Sequence, residues 1–327
     1  MSFTSRPGGE PRVQVIHENS AWTAPLFRAL DARGVPYRDW HLDAGGIDLG
    51  SAPPAGIFYS RMSASSHTRG HRYAPELTAG LLDWLEMHGA RVINPRSALT
   101  LELSKVSQYA ALSRHGIRTP RTIAAVGKAA LLAAAKKMRG PFITKHNRAG
   151  KGLGVRLFQR ASAFSRALER GECEPSVDGV TLVQQYIQAP SPHITRLEFV
   201  GRKFLYAVRV DTSDGFELCP AQSCAPEDAF CPARESTAGA RFEIIEGFSH
   251  PLVPEFERFM AAEGVDVAAF EFIVDGDGKS YTYDINTNTN YNDDAEARAG
   301  LSGMGAVAEY LAAELKRRQS GSESAAA

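Results

Sequence analysis

The hydrophobic pattern changes character part-way along the chain, and that change sets the fold. VQVIHE (13–18), the stretch 35–41, GIFYSR (56–61) and ARVIN (90–94) read as short buried strands separated by Pro-rich and Gly-rich turns and by helices. Trp22, Leu26, Phe27 and Leu30 recur at helical spacing up to Gly34, and Leu77, Leu81, Leu82 and Leu85 do so up to His88-Gly89. Strands alternating with helices over the first 95 residues or so imply a small parallel α/β domain. Beyond residue 180 the pattern becomes strands with few helices: TLVQQYI, ITRLEFV, KFLYAVRV, FEII, AAFEFIV and SYTYDIN. That half is expected to be antiparallel and α+β.

Between these halves a helix is expected from Leu101 to about His115, where Gly116 stops it. TPRTIAAV, an Ala-rich helix (128–138) and the strand PFITKH follow, and a helix over 305–317 carrying Val307, Tyr310, Leu311 and Leu315 closes the chain. The last residues, SGSESAAA, bury too little to order themselves. At 327 residues the chain is long enough for two or three packed units. The divisions expected are 1–97, 98–187 and 188–317, with a disordered tail at 318–327.

Lys+Arg and Asp+Glu both number 37, so neither the basic excess nor the basic stripe of a dedicated nucleic-acid binder is present. No run approaches the ~18 apolar residues of a membrane span. MSFTSRPGGEP is polar without an apolar stretch, and four cysteines (Cys173, Cys219, Cys224, Cys231) are too sparse for a disulfide scaffold. The expectation is a cytoplasmic protein with no nucleic-acid or membrane partner.

The chemistry-bearing segments are few. FITKHNRAGKGLGVRLF (142–158) delivers Lys145 from a strand into a loop holding Gly150, Gly152 and Gly154, with Arg148 and Lys151 adding charge. Glycines at alternate positions let backbone N–H groups approach an anion closely. The loop is flanked by strands and lacks GK[ST], so it matches neither the Walker loop nor the dinucleotide fingerprint; a solvated hairpin is the plainer alternative. FEFIV (270–274) and SYTYDIN (280–286) are joined by DGDG, a hairpin sequence. A two-residue turn pairing Asp275 with Gly278 would set Glu271 opposite Thr282, with Asp284 diagonal to it and Asn286 next along. Phe270, Phe272, Tyr281, Tyr283 and Ile285 would form the opposite, core face. Oxygen ligands gathered opposite hydrophobic packing suit an octahedral magnesium site with one or two carboxylates. A polar sheet face is the alternative, although Asp and Asn are poor strand formers. The segment 60–73 gathers Arg61, Arg69 and Arg72 with His67 and His71 among small hydroxyl residues, after the third strand. Guanidinium forks there would match a substrate carboxylate. Taken singly, Lys105 reads as a solvated helix lysine and Gln184 and Gln185 as an edge pair.

In order and spacing, SRMSASS, INPRSALTLELSKVSQYAALSRHGIRTP, FITKHNRAGKGLGV, LVQQYI, ITRLEFVGRKFLYAVR and FEFIV…YDINTN resemble the ATP-grasp superfamily, especially its RimK-type ligases, over about residues 56–316. The resemblance implies an N-terminal α/β domain, a central lid and a C-terminal domain with the metal site. It implies ATP and Mg2+ (or Mn2+), and formation of an amide or peptide bond through an acyl phosphate, with a glutamate-like amino acid as one substrate. Carried onto this chain, Lys105 and Lys145 would hold phosphates under the loop Asn147–Gly154. Gln184, Gln185, Tyr186 and Ile187 would read adenine. Arg196 and Arg209 would flank the reacting phosphoryl group, and Glu271, Asp284 and Asn286 would hold the metal. Arg61 aligns with an arginine of the similar loop. The hinge departs from the family in reading QQ where many relatives carry an acid second, and HIT precedes Arg196 where an Asp commonly stands.

This chemistry calls for positioning and charge rather than a nucleophilic side chain. Partners would be small-molecule or peptide carboxylates and amines, and a homo-oligomer is left open. Two rivals remain at this stage: a non-catalytic nucleotide-binding scaffold of the same fold, and a zinc module at Cys219, Cys224 and Cys231, where a mobile loop over 212–241 is the alternative.

Overall fold

The computed structural model describes residues 9–150, 152–213 and 241–326, without the side chains of 321–326. Strands β1 (Arg12–His17), β2 (Tyr37–His41), β3 (Gly56–Ser60) and β4 (Arg91–Ile93) form a parallel sheet in the order β2-β1-β3-β4. Helix α1 (Ser20–Asp31) starts where the Asn19 side chain accepts from Trp22 N at 3.0 Å. Its Leu26 and Leu30 pack with Val13, Val15 and Ile57. Helix α2 (Ala74–Met87) buries Leu81, Leu82 and Leu85 with Phe58 and Val92.

The helix expected from Leu101 to His115 is two helices, α3 (Arg96–Leu103) and α4 (Lys105–Arg114). Ser104 breaks the run: it is extended at φ −141°, ψ 109°, and its hydroxyl caps Ser107 N at 3.2 Å. Asn147 completes the N-terminus, its carbonyl accepting from Lys105 N at 3.2 Å and its side chain from Val106 N at 2.9 Å. Lys105 therefore stands in a first helical turn anchored to the glycine loop.

A second sheet, β5-β8-β6-β7, is built from β5 (Thr122–Ala125), β6 (Phe142–His146), β7 (Arg156–Phe158) and β8 (Thr181–Gln185). All its pairings are antiparallel. Helices α5 (Lys128–Lys136) and α6 (Ala161–Glu169) cover one face, Leu131 and Phe164 packing with Phe142 and Phe158 of the sheet.

The third sheet, β11-β10-β9-β12-β13, is also antiparallel: β9 (His193–Val200), β10 (Lys203–Asp211), β11 (Phe242–Ile245), β12 (Val267–Val274) and β13 (Ser280–Asn286). Leu197, Phe199, Phe270, Phe272 and Ile285 pack with Phe256, Phe259 and Met260 of α7 (Leu252–Glu263). Each such fully buried side chain contributes about 1.5–3 kcal/mol. That helix is additional to the few read after residue 180, as is α8 (Asp293–Ala299). The closing helix α9 runs Gly303–Ala326, through the tail expected to be disordered. Once a helix is nucleated by packing, each further residue adds a hydrogen bond at little cost. Val307, Leu311 and Leu315 of α9 join Leu26 and Leu30 of α1 in one core with Val208 and Val210 of β10.

The β12–β13 hairpin differs from the expected register. Asp275 N bonds Lys279 O at 3.0 Å and Gly278 N bonds Asp275 O at 3.0 Å, so the loop has three residues, Gly276 to Gly278. Gly278 takes φ +77°, as the last residue of such a turn requires. Phe272 is then opposite Thr282, and a bulge between Glu271 and Phe272 re-registers the strands so that Glu271 stands directly opposite Asp284. Thr282, not Tyr281 or Tyr283, joins the core side, buried with Phe272.

Candidate active site

A cleft of ≈460 Å³ opens between the β5–β8 sheet and the β9–β13 sheet, with the ends of α1 and β3 along one side. Glu271 and Asp284 form its floor, joined by Lys105, Lys145, Arg196 and Asn286. Lys105 Nζ is ion-paired with Asp284. Lys145 Nζ donates to Tyr283 O at 3.1 Å and faces the rings of Tyr109 at 5.2 Å and Tyr283 at 5.5 Å. Burial lowers the Lys145 ammonium to a pKa of about 8 against the opposing pull of Asp284 and Glu271. Arg196 bridges Glu198 at 2.5 Å, Glu271 at 2.9 Å and Thr289 Oγ1 at 2.6 Å. Burial of Glu198 raises its carboxyl despite that neighbour. Asn286 Nδ2 reaches Glu271 at 3.3 Å.

Two residues that the sequence reading did not single out hold this floor in place. Gln108 of α4 bonds Ile285 in both directions, Nε2 to the carbonyl at 2.8 Å and Oε1 from the amide at 3.1 Å, standing in for a further strand beside β13. Glu102, also on the cleft wall, accepts from Ala64 N at 3.3 Å, Thr287 N at 2.8 Å and Asn288 N at 3.2 Å. Burial pushes the Glu102 carboxyl up in pKa, against these three donors. Nothing local in the sequence marks either residue, because their partners lie in distant segments.

The glycine loop covers the cleft through Ala149, Gly150, Gly152 and Leu153. A Cβ on Gly154, at φ +75°, would meet the His146 ring at 2.4 Å, so only glycine fits. Arg148 turns away and pairs with Glu76 of α2 at 2.7 Å and 3.3 Å. Arg148 and Arg72 hold the Glu76 carboxyl down at about 2, against its desolvation. Gln184, Gln185, Tyr186 and Ile187 line the outer wall. The Gln184 amide is fixed to Tyr109 Oη at 2.9 Å and Thr122 Oγ1 at 2.7 Å.

The remaining expected residues are elsewhere. Arg209 is exposed on the opposite face of β10 and pairs with Glu243 at 3.1 Å, because strand alternation sends it away from Val208 and Arg196. Arg61 is buried at 2 % exposure behind the cleft, bonded to Asn290 Oδ1 at 2.8 Å and to the carbonyls of Trp22 and Thr289 at 3.4 Å. Arg69 is taken by Glu18 at 2.6 Å and 3.1 Å. Arg72 is taken by Glu76 at 2.8 Å. Lys151, Cys219, Cys224 and Cys231 lie outside the described residues, and with them the zinc and mobile-loop readings. Among the described residues no group of three or more His, Cys, Asp or Glu side chains is placed to hold a metal ion. A metal at Glu271 and Asp284 would therefore draw on Asn286 and on phosphate oxygens.

This three-sheet arrangement, with a lidded cleft over an acidic hairpin, is the ATP-grasp fold. The solved structures it resembles include a RimK domain protein of ATP-grasp type from Sphaerobacter thermophilus, at 20 % identity and TM-score 0.62, covering 91 % of this chain and 98 % of that one. The ATP-grasp ligase PsnB, solved with a minimal precursor, is similar at 18 % identity and TM-score 0.64, over 93 % and 99 % of the two chains. D-cycloserine synthetase DcsG is similar at 18 % identity and TM-score 0.61, over 93 % and 99 %. PsnB has also been solved with Mg and ADP. No family model matches the sequence, and no curated protein matches it. Among the described residues no helix is long and apolar enough to cross a membrane.

Proposed function

We propose that the chain is an ATP-dependent carboxylate–amine ligase, forming an amide or peptide bond through an acyl phosphate with an amino acid as one partner. The observation that carries this reading is the Glu271–Asp284 pair, directly opposed across β12 and β13 and bracketed by Lys105, Lys145 and Arg196. A cleft with balanced charge and several cations suits a polyanion that arrives with its own counter-ion. Oxygen donors on adjacent strands, two of them carboxylates, suit Mg2+ or Mn2+. Glu271, Asp284 and Asn286 would hold that ion, which supplies charge neutralisation between phosphate oxygens.

Lys105 would exchange its Asp284 partner for phosphate, and Lys145 would bind a second phosphate oxygen. The loop 147–154 would exclude water above them, and Gln184 to Ile187 would seat the base. Arg196, preorganised by Glu198 and Thr289, would stabilise charge on the transferring group and then on the tetrahedral centre formed by amine attack. Arg209 is too remote for the part expected of it.

The test is calorimetric titration with MgADP together with ADP release in the presence of amino-acid panels. Glu271→Gln is expected to bind MgADP at least tenfold more weakly and to lose turnover, with the metal-free melting curve little changed. Failure of the unmodified protein to bind any nucleoside di- or triphosphate would remove the ligase reading.

A further inference from the structure

Three carboxylates line the cleft among the described residues, Glu271 and Asp284 on its floor and Glu102 on its wall. The first two serve the ion in the ligase reading, whereas Glu102 has no part there beyond its backbone bonds. Glu102 is half-buried, and its partners among the described residues are neutral. Oε2 is reached by Thr287 N at 2.8 Å and by Asn288 N and Thr287 Oγ1 at 3.2 Å, while Oε1 accepts from Ala64 N at 3.3 Å. Each carboxylate oxygen has about two acceptor sites, so Oε1 has one to offer.

The charge that bears most on Glu102 is that of Asp284, of like sign, and Lys105, the cation nearest in sequence, is already paired with Asp284. Glu102 is thus an uncompensated anion on a partly desolvated wall, where an ammonium group gains most. Arg61 is its counterpart of opposite sign. It stands behind the cleft, bonded to Thr289 O at 3.4 Å and Asn290 Oδ1 at 2.8 Å, again to neutral oxygens. The two charges hold opposite ends of the segment 287–290, Glu102 the backbone of Thr287 and Asn288, Arg61 the last two residues. Their combined field favours an ammonium at the Glu102 end and an anion at the other. The remaining basic groups are committed: Lys105 and Lys145 to phosphate in the ligase reading, and His146 Nε2 to Glu174 O at 3.0 Å.

We propose that Glu102 is a catalytic residue whose carboxylate binds the ammonium of the amine substrate and takes the proton that frees the attacking lone pair. The inference rests on the ligase reading and supplies the proton acceptor which that reading lacks. Amine attack forms the C–N bond at the acyl carbon, and the C–O bond to phosphate breaks with its electron pair leaving on the phosphate. The ammonium nitrogen loses two protons. The first goes to Glu102 and from there to solvent, and the second goes to the departing phosphate. Burial holds the Glu102 carboxyl above its usual pKa, which strengthens it as a base.

Hydroxylamine separates this role from a structural one, because it is largely uncharged at neutral pH and needs no base to expose its lone pair. With MgATP and each amino acid in turn as the acid, hydroxamate formation identifies the acid that is activated. The same acid is then offered amino acids and ammonium chloride as the amine, and amide and phosphate are measured. Glu102→Gln should lower kcat/KM for the ammonium-bearing amine at least ~100-fold, the scale of general-base catalysis, and for hydroxylamine less than about tenfold. Glu102→Asp keeps the charge on a shorter stem and should retain more of the amine reaction than Glu102→Gln. Its loss should again be larger with the amine than with hydroxylamine, so it carries the test even where the glutamine variant misfolds. Equal losses with both nucleophiles, a glutamine variant more active than the aspartate one, or hydroxamate without amide from any of these amines would overturn the inference. Glu102 would then be a backbone anchor alone, with the ligase reading intact. Nucleotide binding without hydroxamate or amide from any amino acid would remove both.

Discussion

Replacing Lys145 with methionine should make the nucleotide-free protein more stable and the nucleotide-bound protein less so. Lys145 is 5 % exposed, and its pKa falls from 10.5 to about 8 through burial, after the attraction of Asp284 and Glu271 has been included. A shift of that size corresponds to about 3 kcal/mol at neutral pH, acting against the fold. Methionine fills similar volume without charge. It forgoes the bond to Tyr283 O and the contacts with the Tyr109 and Tyr283 rings, together about 2 kcal/mol. The net gain is about 1 kcal/mol, or roughly 2 °C in melting temperature for a chain of this size.

The unfolded chain holds the Lys145 proton up to 10.5 while the folded chain releases it near 8. Stability from this site therefore rises with pH between those values, and Lys145→Met should flatten that rise. Saturating MgADP at ~100 times its dissociation constant stabilises by ~2.7 kcal/mol, and the variant should lose most of that increment. Differential scanning fluorimetry at pH 7 and 9.5, with and without MgADP, reads all four numbers. A variant that melts lower than the parent without nucleotide, or keeps the full MgADP shift, would refute this account of Lys145.

The two arginines on neighbouring strands should separate cleanly. Arg196→Ala, which removes a buried donor on the cleft floor, should reduce turnover by ~10²-fold or more, whereas Arg209→Ala should stay within about twofold because its head is exposed beside Glu243; steady-state ADP release decides this. Glu76→Gln should loosen the glycine loop, raising amide exchange across 147–154 with little change in melting temperature, since the Glu76 side chain is 49 % exposed. In the parent, the Glu76 contribution is present above pH 4.5 and lost as pH falls toward 2, so acid should loosen the same amides.

Much of the site was legible because its parts are local. Lys145 leaves a strand into a glycine-spaced loop, and a turn sequence joins Glu271 to Asp284 across one hairpin. What local pattern does not encode is register and partner. The DGDG segment is compatible with two-residue and three-residue turns, and each alone places Glu271 wrongly. The extra residue in the loop shifts the pairing by one, and the bulge at Tyr283 shifts it again, so the two irregularities together bring the carboxylates face to face. The sequence-based pairing was therefore wrong in both steps, although it put Glu271 and Asp284 on one face.

The arginines show the complementary difficulty. Arg61, Arg69 and Arg72 form a local excess of charge in the sequence; Glu76, which takes Arg72, stands only four residues on, but Glu18 and Asn290, which take Arg69 and Arg61, lie 51 and 229 residues away. Only the fold shows that the forks of Arg61 and Arg69 are occupied. The alternation of Asn and Thr along Asn286-Thr287-Asn288-Thr289-Asn290 matches their placement, threonines buried and asparagines on the cleft, although the chain leaves β13 after Asn286 and bends at 287–288. Its meaning depends on what lies beneath: Glu102 and Glu198 bind the inward threonines, and this fixes the asparagines outward toward the cleft. Glu198, buried behind the cleft, and Glu102, on its wall, thus decide which side chains of this segment reach the cleft.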